Sequence, residues 1–182
     1  MSLPHVLLGM LAEPASGYDL KNQFEQSVRH FWYAELSQIY PALGKLEKQG
    51  MLSSKLVPSD KGPSRKIYTR TSQGTKELKF WIADGPVCRT ERLAYLTQLF
   101  FLDSVSIGRR ISFMEDLRDD FADRLNELQS IEKNWRTDPR YPDQLPDTQF
   151  YKQMTLRSGL MKYQMMVEWC EECLDRMKLR SN

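Results

Sequence analysis

The chain has 182 residues, 41% of them apolar, and carries 26 Lys/Arg against 24 Asp/Glu for a net charge of +2. That length holds one medium domain or two small ones around an ordinary core. It contains no apolar run of about 18 residues, which excludes a spanning helix, and its odd count of three cysteines fits a reducing cytoplasm rather than a disulfide scaffold.

The start, "MSLPHVLLGMLAEPASGYD", lacks a basic leader and reads as mature structure. Leu3, Val6, Leu7, Met10 and Leu11 share one stripe, predicting a short buried helix that "EPASG" ends. Ser16 stands three residues before Asp19, a capping-box start for a second helix with Leu20, Phe24 and Val28 on its core side. In "SQIYPALGKLEKQG", Ser37 is the expected N-cap of a third helix running from residue 37 to residue 49. Pro41 would then be its fourth residue, where a missing N–H removes at most one bond, and Gly50 its left-handed stop. Beyond Gly50 the period changes to two. "MLSSKLV" sets Leu52 and Leu56 inward, "RKIYTRT" alternates Ile67 and Thr69 against Lys66, Tyr68 and Arg70, and "PSDKGPS" between them is a loop. Thr71 caps a fourth helix carrying Leu78, Trp81 and Ile82, and Asp84-Gly85-Pro86 ends it.

Helix, helix, helix, hairpin, helix is the order of a winged helix-turn-helix, whose third helix enters the DNA major groove. The charge agrees. From Lys45 to Phe80 there are nine Lys/Arg against three Asp/Glu, whereas residues 86–182 hold fifteen against sixteen. A basic block on a balanced chain points to a polyanion, although a solvated face is the plainer account of charge alone.

"GYDLKNQF", "SQIYPALGKLEKQGML" and "GPSRKIYTRTSQG", in this order and spacing, resemble the N-terminal domain of the PadR family of bacterial transcriptional regulators. These motifs cover residues 3–83; the remainder is similar only in its helical character. The resemblance implies a homodimer on operator DNA, usually repressing and often released by a small effector. Gly44 departs from the pattern, standing where such helices usually carry a larger residue, at about 0.5–1 kcal/mol of helix propensity.

Several residues are candidates for contact with double-stranded DNA. Gln38 suits adenine, while Ser37 and Tyr40 suit phosphate oxygens. The plainer roles are an N-cap for Ser37 and packing on Pro41 for Tyr40. Lys45 and Lys48 act as point charges toward phosphate, and Tyr18 fits either a phosphate or the core. Lys61, Arg65, Lys66 and Arg70 belong to the wing, each expected to steepen the salt dependence by about 0.9.

Residues 1–85 thus form an expected DNA-binding domain and residues 86–182 a helical dimerisation domain. "ERLAYLTQLFFLDS" is a short helix. Ile107, Met114, Phe121, Leu128 and Trp135 then recur at sevens, with Ile111 and Leu125 on the alternate seam, in a helix of about thirty residues. Three prolines in "RTDPRYPDQLPDT" precede a second long helix carrying Met154, Leu160, Met161, Met165, Trp169, Cys173 and Met177. Two such amphipathic helices need a partner for their stripes, and a second copy is the simplest. A two-fold dimer would hold two recognition helices about 34 Å apart. Trp135 and Trp169 are candidates for a pocket taking an aromatic effector, although aromatics at helical spacing are more often core.

Cys170 and Cys173 lack the second pair that zinc requires and read as buried thiols on the seam. His5 and His30 are the only histidines and match no catalytic constellation, so neither an enzyme nor a bound cofactor or metal is expected. The competing reading is a winged-helix protein-interaction module that docks an acidic partner without touching DNA. An RNA-binding variant is more distant, since no exposed aromatic sheet is visible.

Overall fold

The structure is a computed structural model that describes residues 3–28, 31–32, 35–59, 62–88 and 92–181; Lys61 and His30 lie outside them. Residues 1–89 and 90–182 form two separate compact units. The elements are mainly helical, with one small antiparallel sheet.

The first unit runs α1 (Leu3–Met10), β1 (Ala15–Ser16), α2 (Gly17–Ser27), α3 (Leu36–Lys48), β2 (Leu52–Ser59), β3 (Gly62–Arg70) and α4 (Ser72–Ala83). Leu7, Leu8, Leu20, Ile39 and Leu43 are fully buried at its centre, each side chain contributing about 1.5–3 kcal/mol. The Ser16 box forms as the spacing predicts. Ser16 Oγ accepts from the Asp19 N–H at 3.1 Å, and Asp19 Oδ2 accepts from the Ser16 N–H at 3.0 Å. His5, on α1, stacks on Trp81 of α4 at 4.7 Å and lies 3.1 Å from a Glu77 oxygen, a packed structural histidine.

The third helix begins earlier than expected. Glu35, not Ser37, is its N-cap, and Gln38 Oε1 accepts the Glu35 N–H at 3.1 Å. Pro41 is therefore the sixth helical residue, and its nitrogen cannot supply the usual i+4 donor to the Ser37 carbonyl. The C-terminus follows expectation. Gly50 has φ 73, its N–H donates to Glu47 O at 2.9 Å, and the Met51 N–H donates to Leu46 O at 2.9 Å, a Schellman closure. The chain then passes straight into β2. Thr71, the N-cap of α4, accepts from the Gly74 N–H at 3.1 Å and donates to the Gly50 carbonyl at 2.8 Å, tying α4 to the end of α3.

The hairpin is longer than its turn residues suggested, because β2 continues through Pro58. This is an edge strand, and the register shifts between Val57 and Ser59, the setting in which a strand tolerates proline. β1, unforeseen, adds a third strand through Ala15 opposite Tyr68 and Ser16 opposite Ile67. Tyr68 is buried while Thr69 is exposed, so Leu52, Ser54 and Leu56 face inward with Arg70, Tyr68 and Lys66. That inward face outruns the helices beneath it. Leu56, expected inside, is 67% exposed.

The second unit comprises α5 (Ala94–Phe100), a 3-10 turn (Leu102–Ser104), α6 (Ile107–Trp135) and α7 (Asp147–Ser181). Met114, Phe121, Leu125 and Leu128 of α6 pack on Leu156, Leu160, Tyr163, Cys170 and Leu174 of α7. Tyr95 of α5 meets Phe121 edge-on at 5.5 Å. At the turn, the Tyr141 hydroxyl donates to the Glu132 carboxylate at 2.9 Å, and Arg140 holds the Asp138 carboxyl down at about 2. Among the described residues no helix is long and apolar enough to cross a membrane.

Candidate nucleic-acid interface

With Ile39, Leu43 and Leu46 turned into the core, the 100° step of the helix sends Ser37, Pro41, Gly44 and Lys48 to the opposite side of α3. This ridge is built from small side chains and ends in a lysine. Gln38 and Lys45 flank it on one side, Tyr40 and Glu47 on the other. Ser37, Gln38, Tyr40, Lys45 and Lys48 are exposed, and among the described residues Lys45 and Lys48 carry no ion pair. A β-carbon on Gly44 would meet nothing within 4 Å, so the glycine is not required by packing within the chain.

Tyr40 reaches beyond its own helix. Its ring lies across Gly17, the first residue of α2, and Tyr18 beside it is 61% exposed. Two tyrosines from different helices thus stand at one edge of the α3 ridge. Asp19, two residues further, has its carboxyl lowered by the Ser16 hydroxyl and backbone bonds, with a smaller contribution from Arg65 of the wing.

The wing cations divide. Arg65 is exposed. Lys66 donates to Glu47 Oε2 at 2.7 Å, and Arg70 is drawn inward, its Nη1 donating to the Leu8 carbonyl at 2.7 Å. Arg70 therefore serves the domain core rather than the open wing. Glu47 escaped the sequence reading, because its partner Lys66 is nineteen residues away on another element. So did Gly17, whose position before a tyrosine was its only signal.

The residues expected at a dimer surface divide too. Met114, Phe121, Leu125, Leu128 and Leu160 are buried between α6 and α7 of one chain, which removes them from any open surface. Ile111 and Cys173 are partly buried against the same core. Ile107, Met161 and Met165 remain 48%, 59% and 55% exposed, and Met154 of α7 is 52% exposed, leaving an apolar stripe along α7. Trp135 and Trp169 are both partly buried, but they do not share a pocket within the chain. Trp135 ends α6 at the turn, whereas Trp169 lies roughly 30 Å along α7 from that turn. Burial pushes the Cys170 thiol up to about 11 and also raises Cys173, so neither is a ready thiolate. No group of three His, Cys, Asp or Glu suited to a metal ion occurs among the described residues.

The chain is similar to known proteins over nearly its whole length. The family described as "Transcriptional regulator PadR-like family" matches residues 6–80, and the family described as "Virulence activator alpha C-term" matches residues 91–178. The negative transcriptional regulator PadR of Bacillus subtilis is 29% identical over 94% of this chain and 95% of its own length. The crystal structure of that protein in complex with operator DNA has a TM-score of 0.81 at 26% identity, covering 97% of this chain and 99% of that one. Its structure in complex with p-coumaric acid has a TM-score of 0.73 at 28% identity, covering 97% and 95%. The Vibrio cholerae virulence activator AphA has a TM-score of 0.78 at 26% identity, covering 98% and 99%. Residues 6–80 thus match the PadR-like family of transcriptional regulators, and the chain is similar to PadR over nearly its whole length.

Proposed function

We infer that the chain is a homodimeric, sequence-specific DNA-binding repressor of the cytoplasm, released by a small aromatic effector, and not an enzyme. The observation that carries this reading is the open face of α3, where Ser37, Gln38, Tyr40, Lys45 and Lys48 surround a low ridge. Such a ridge lets a helix approach the floor of a major groove while its flanks reach base edges and phosphates. Operator DNA and p-coumaric acid are ligands of the B. subtilis relative, which is a negative transcriptional regulator. The methionine stripe of α7 supports a second copy as partner.

A second reading, a winged helix that docks an acidic protein, draws on Lys66 and Arg70 being bonded within the domain. The uncovered α3 face outweighs it. Selection from a randomised duplex library by the purified protein separates the two. Enrichment of a two-fold symmetric site with half-sites about 10 base pairs apart, or a multiple of that, supports the repressor. No enrichment of any sequence supports the protein-docking module.

A further inference from the structure

Three elements of the first unit converge on one carboxylate. Glu47, near the end of α3, accepts from Lys66 Nζ of β3 at 2.7 Å and from the Ser54 hydroxyl of β2. The ammonium also lies 5.2 Å from the centroid of the Tyr68 ring, whose buried side faces the core. Lys66 and Glu47 are only 44% and 30% exposed at their side chains. The pairing has the expected consequence for both groups: Lys66 holds the Glu47 carboxyl below its usual range, and Glu47 holds the Lys66 ammonium above its own.

The position of this triad is what makes it informative. Glu47 lies on the Tyr40 flank of the α3 ridge, and Ser54 and Lys66 sit on the inward face of the hairpin where it begins to outrun the helices. Leu56, paired with Lys66 across the hairpin, is already 67% exposed and gives the wing no apolar hold at that level. At this level the polar contact ties the wing to α3. A DNA phosphate competing for Lys66 would have to break a charge-assisted bond and leave the Glu47 carboxylate without its cation, held by the Ser54 hydroxyl alone.

We propose that Glu47 is a positioning residue of the DNA interface, which clamps the wing to α3 through Lys66 and Ser54 and withholds Lys66 from phosphate. Lys66 is then a structural cation, and sequence-independent affinity stays low because one wing charge per subunit is already neutralised. This rests on the DNA-binding reading above.

The test compares wild type, Glu47→Gln, Lys66→Gln and the double variant in salt-series titrations against a selected operator and a scrambled duplex. Glutamine keeps the shape and the acceptor while removing the charge. Glu47→Gln is expected to bind the scrambled duplex several-fold tighter, to steepen the salt slope by about 0.9 per subunit, and to narrow the ratio between operator and scrambled DNA. Lys66→Gln leaves the slope at the wild-type value, and the double variant restores it. Hydrogen exchange of the wing amides in the free protein reads the clamp without DNA and should quicken in Glu47→Gln. A flatter slope in Lys66→Gln makes Lys66 a phosphate contact and overturns the proposal. An unchanged slope and ratio in Glu47→Gln, or unchanged wing exchange, overturns it as well. Absence of any duplex binding by wild type defeats the DNA reading itself, and that result is visible in the wild-type arm alone.

Discussion

The ring of Tyr40 lies so close over Gly17 that a β-carbon there would come within 2.5 Å of Cε1 and 2.8 Å of Cζ. The contact joins the exposed face of α3 to the first residue of α2. It holds Tyr40 at 48% exposure beside Tyr18 rather than folded onto its own helix. Glycine is needed here for close approach, not for an unusual backbone angle.

Gly17→Ala should therefore move the ring without harming the fold. A tyrosine ring can rotate, and α2 keeps its Ser16–Asp19 cap, so the change in stability should stay within about 0.5 kcal/mol. If Tyr40 donates one hydrogen bond to phosphate, losing about 0.5–1.5 kcal/mol lowers operator affinity roughly two- to tenfold. Thermal melting and a binding titration on the same preparation check both halves. Unaltered affinity with a displaced ring would remove Tyr40 from the interface.

Two other glycines should respond in opposite directions. A methyl group on Gly44 meets open space, and alanine there should raise stability by about 0.5–1 kcal/mol through helix propensity. A methyl group on Gly74 would collide with the Met51 carbonyl oxygen, a backbone atom fixed by the Thr71 N–H at 3.1 Å. Gly74→Ala should cost about 1–3 kcal/mol by overpacking. Chemical denaturation of the two variants, run side by side, decides the contrast.

The Ser16 box predicts a direction of acid sensitivity. Hydrogen bonds from Ser16 depress the Asp19 carboxyl in the folded state, so its contribution is complete above the unfolded value of about 3.9. That contribution is lost as pH falls from there through the depressed folded value. Ser16→Ala should cost about 1 kcal/mol at pH 7 and progressively less below pH about 4. A constant difference across that range would contradict the assignment.

Met161 and Met165 stand one turn apart on α7 and are both more than half exposed. Replacing both with lysine should leave helix content unchanged, since their own chain does not cover them. It should convert a dimer to a monomer in light scattering, because two buried ammonium groups would have to lose their hydration. A double variant that stays dimeric places the interface elsewhere.

The legible features of this sequence were those whose cause is local. Ser16 and Asp19, Gly50 and Thr71 each act within a few residues, and each sits where its chemistry predicted. The start of α3 was misjudged because Ser37 is a good N-cap by type, whereas the helix starts two residues earlier, where Gln38 Oε1 accepts the Glu35 N–H. On α7 nearly every turn carries apolar residues on two sides. Hydropathy alone could not tell the Leu156–Tyr163–Cys170 stripe, which faces α6, from the Met154–Met161–Met165 stripe, which does not. Arg70, Lys66 and Glu47 were unreadable for a different reason. Their partners are sixty-two and nineteen residues distant, and only the fold brings them together.

The most direct measurement is a fluorescence-anisotropy titration of wild type and Gln38→Glu against duplex from the protein's own upstream region and against scrambled duplex. Glutamate keeps the acceptor that Gln38 Oε1 offers the Glu35 N–H, so the helix start survives while the amide donor is removed. Its added charge weakens both duplexes alike, and the ratio between them isolates base reading. The account predicts a marked wild-type preference for upstream DNA, eroded in Gln38→Glu by about 1–3 kcal/mol. Equal, weak and salt-insensitive binding of both duplexes by wild type would contradict it.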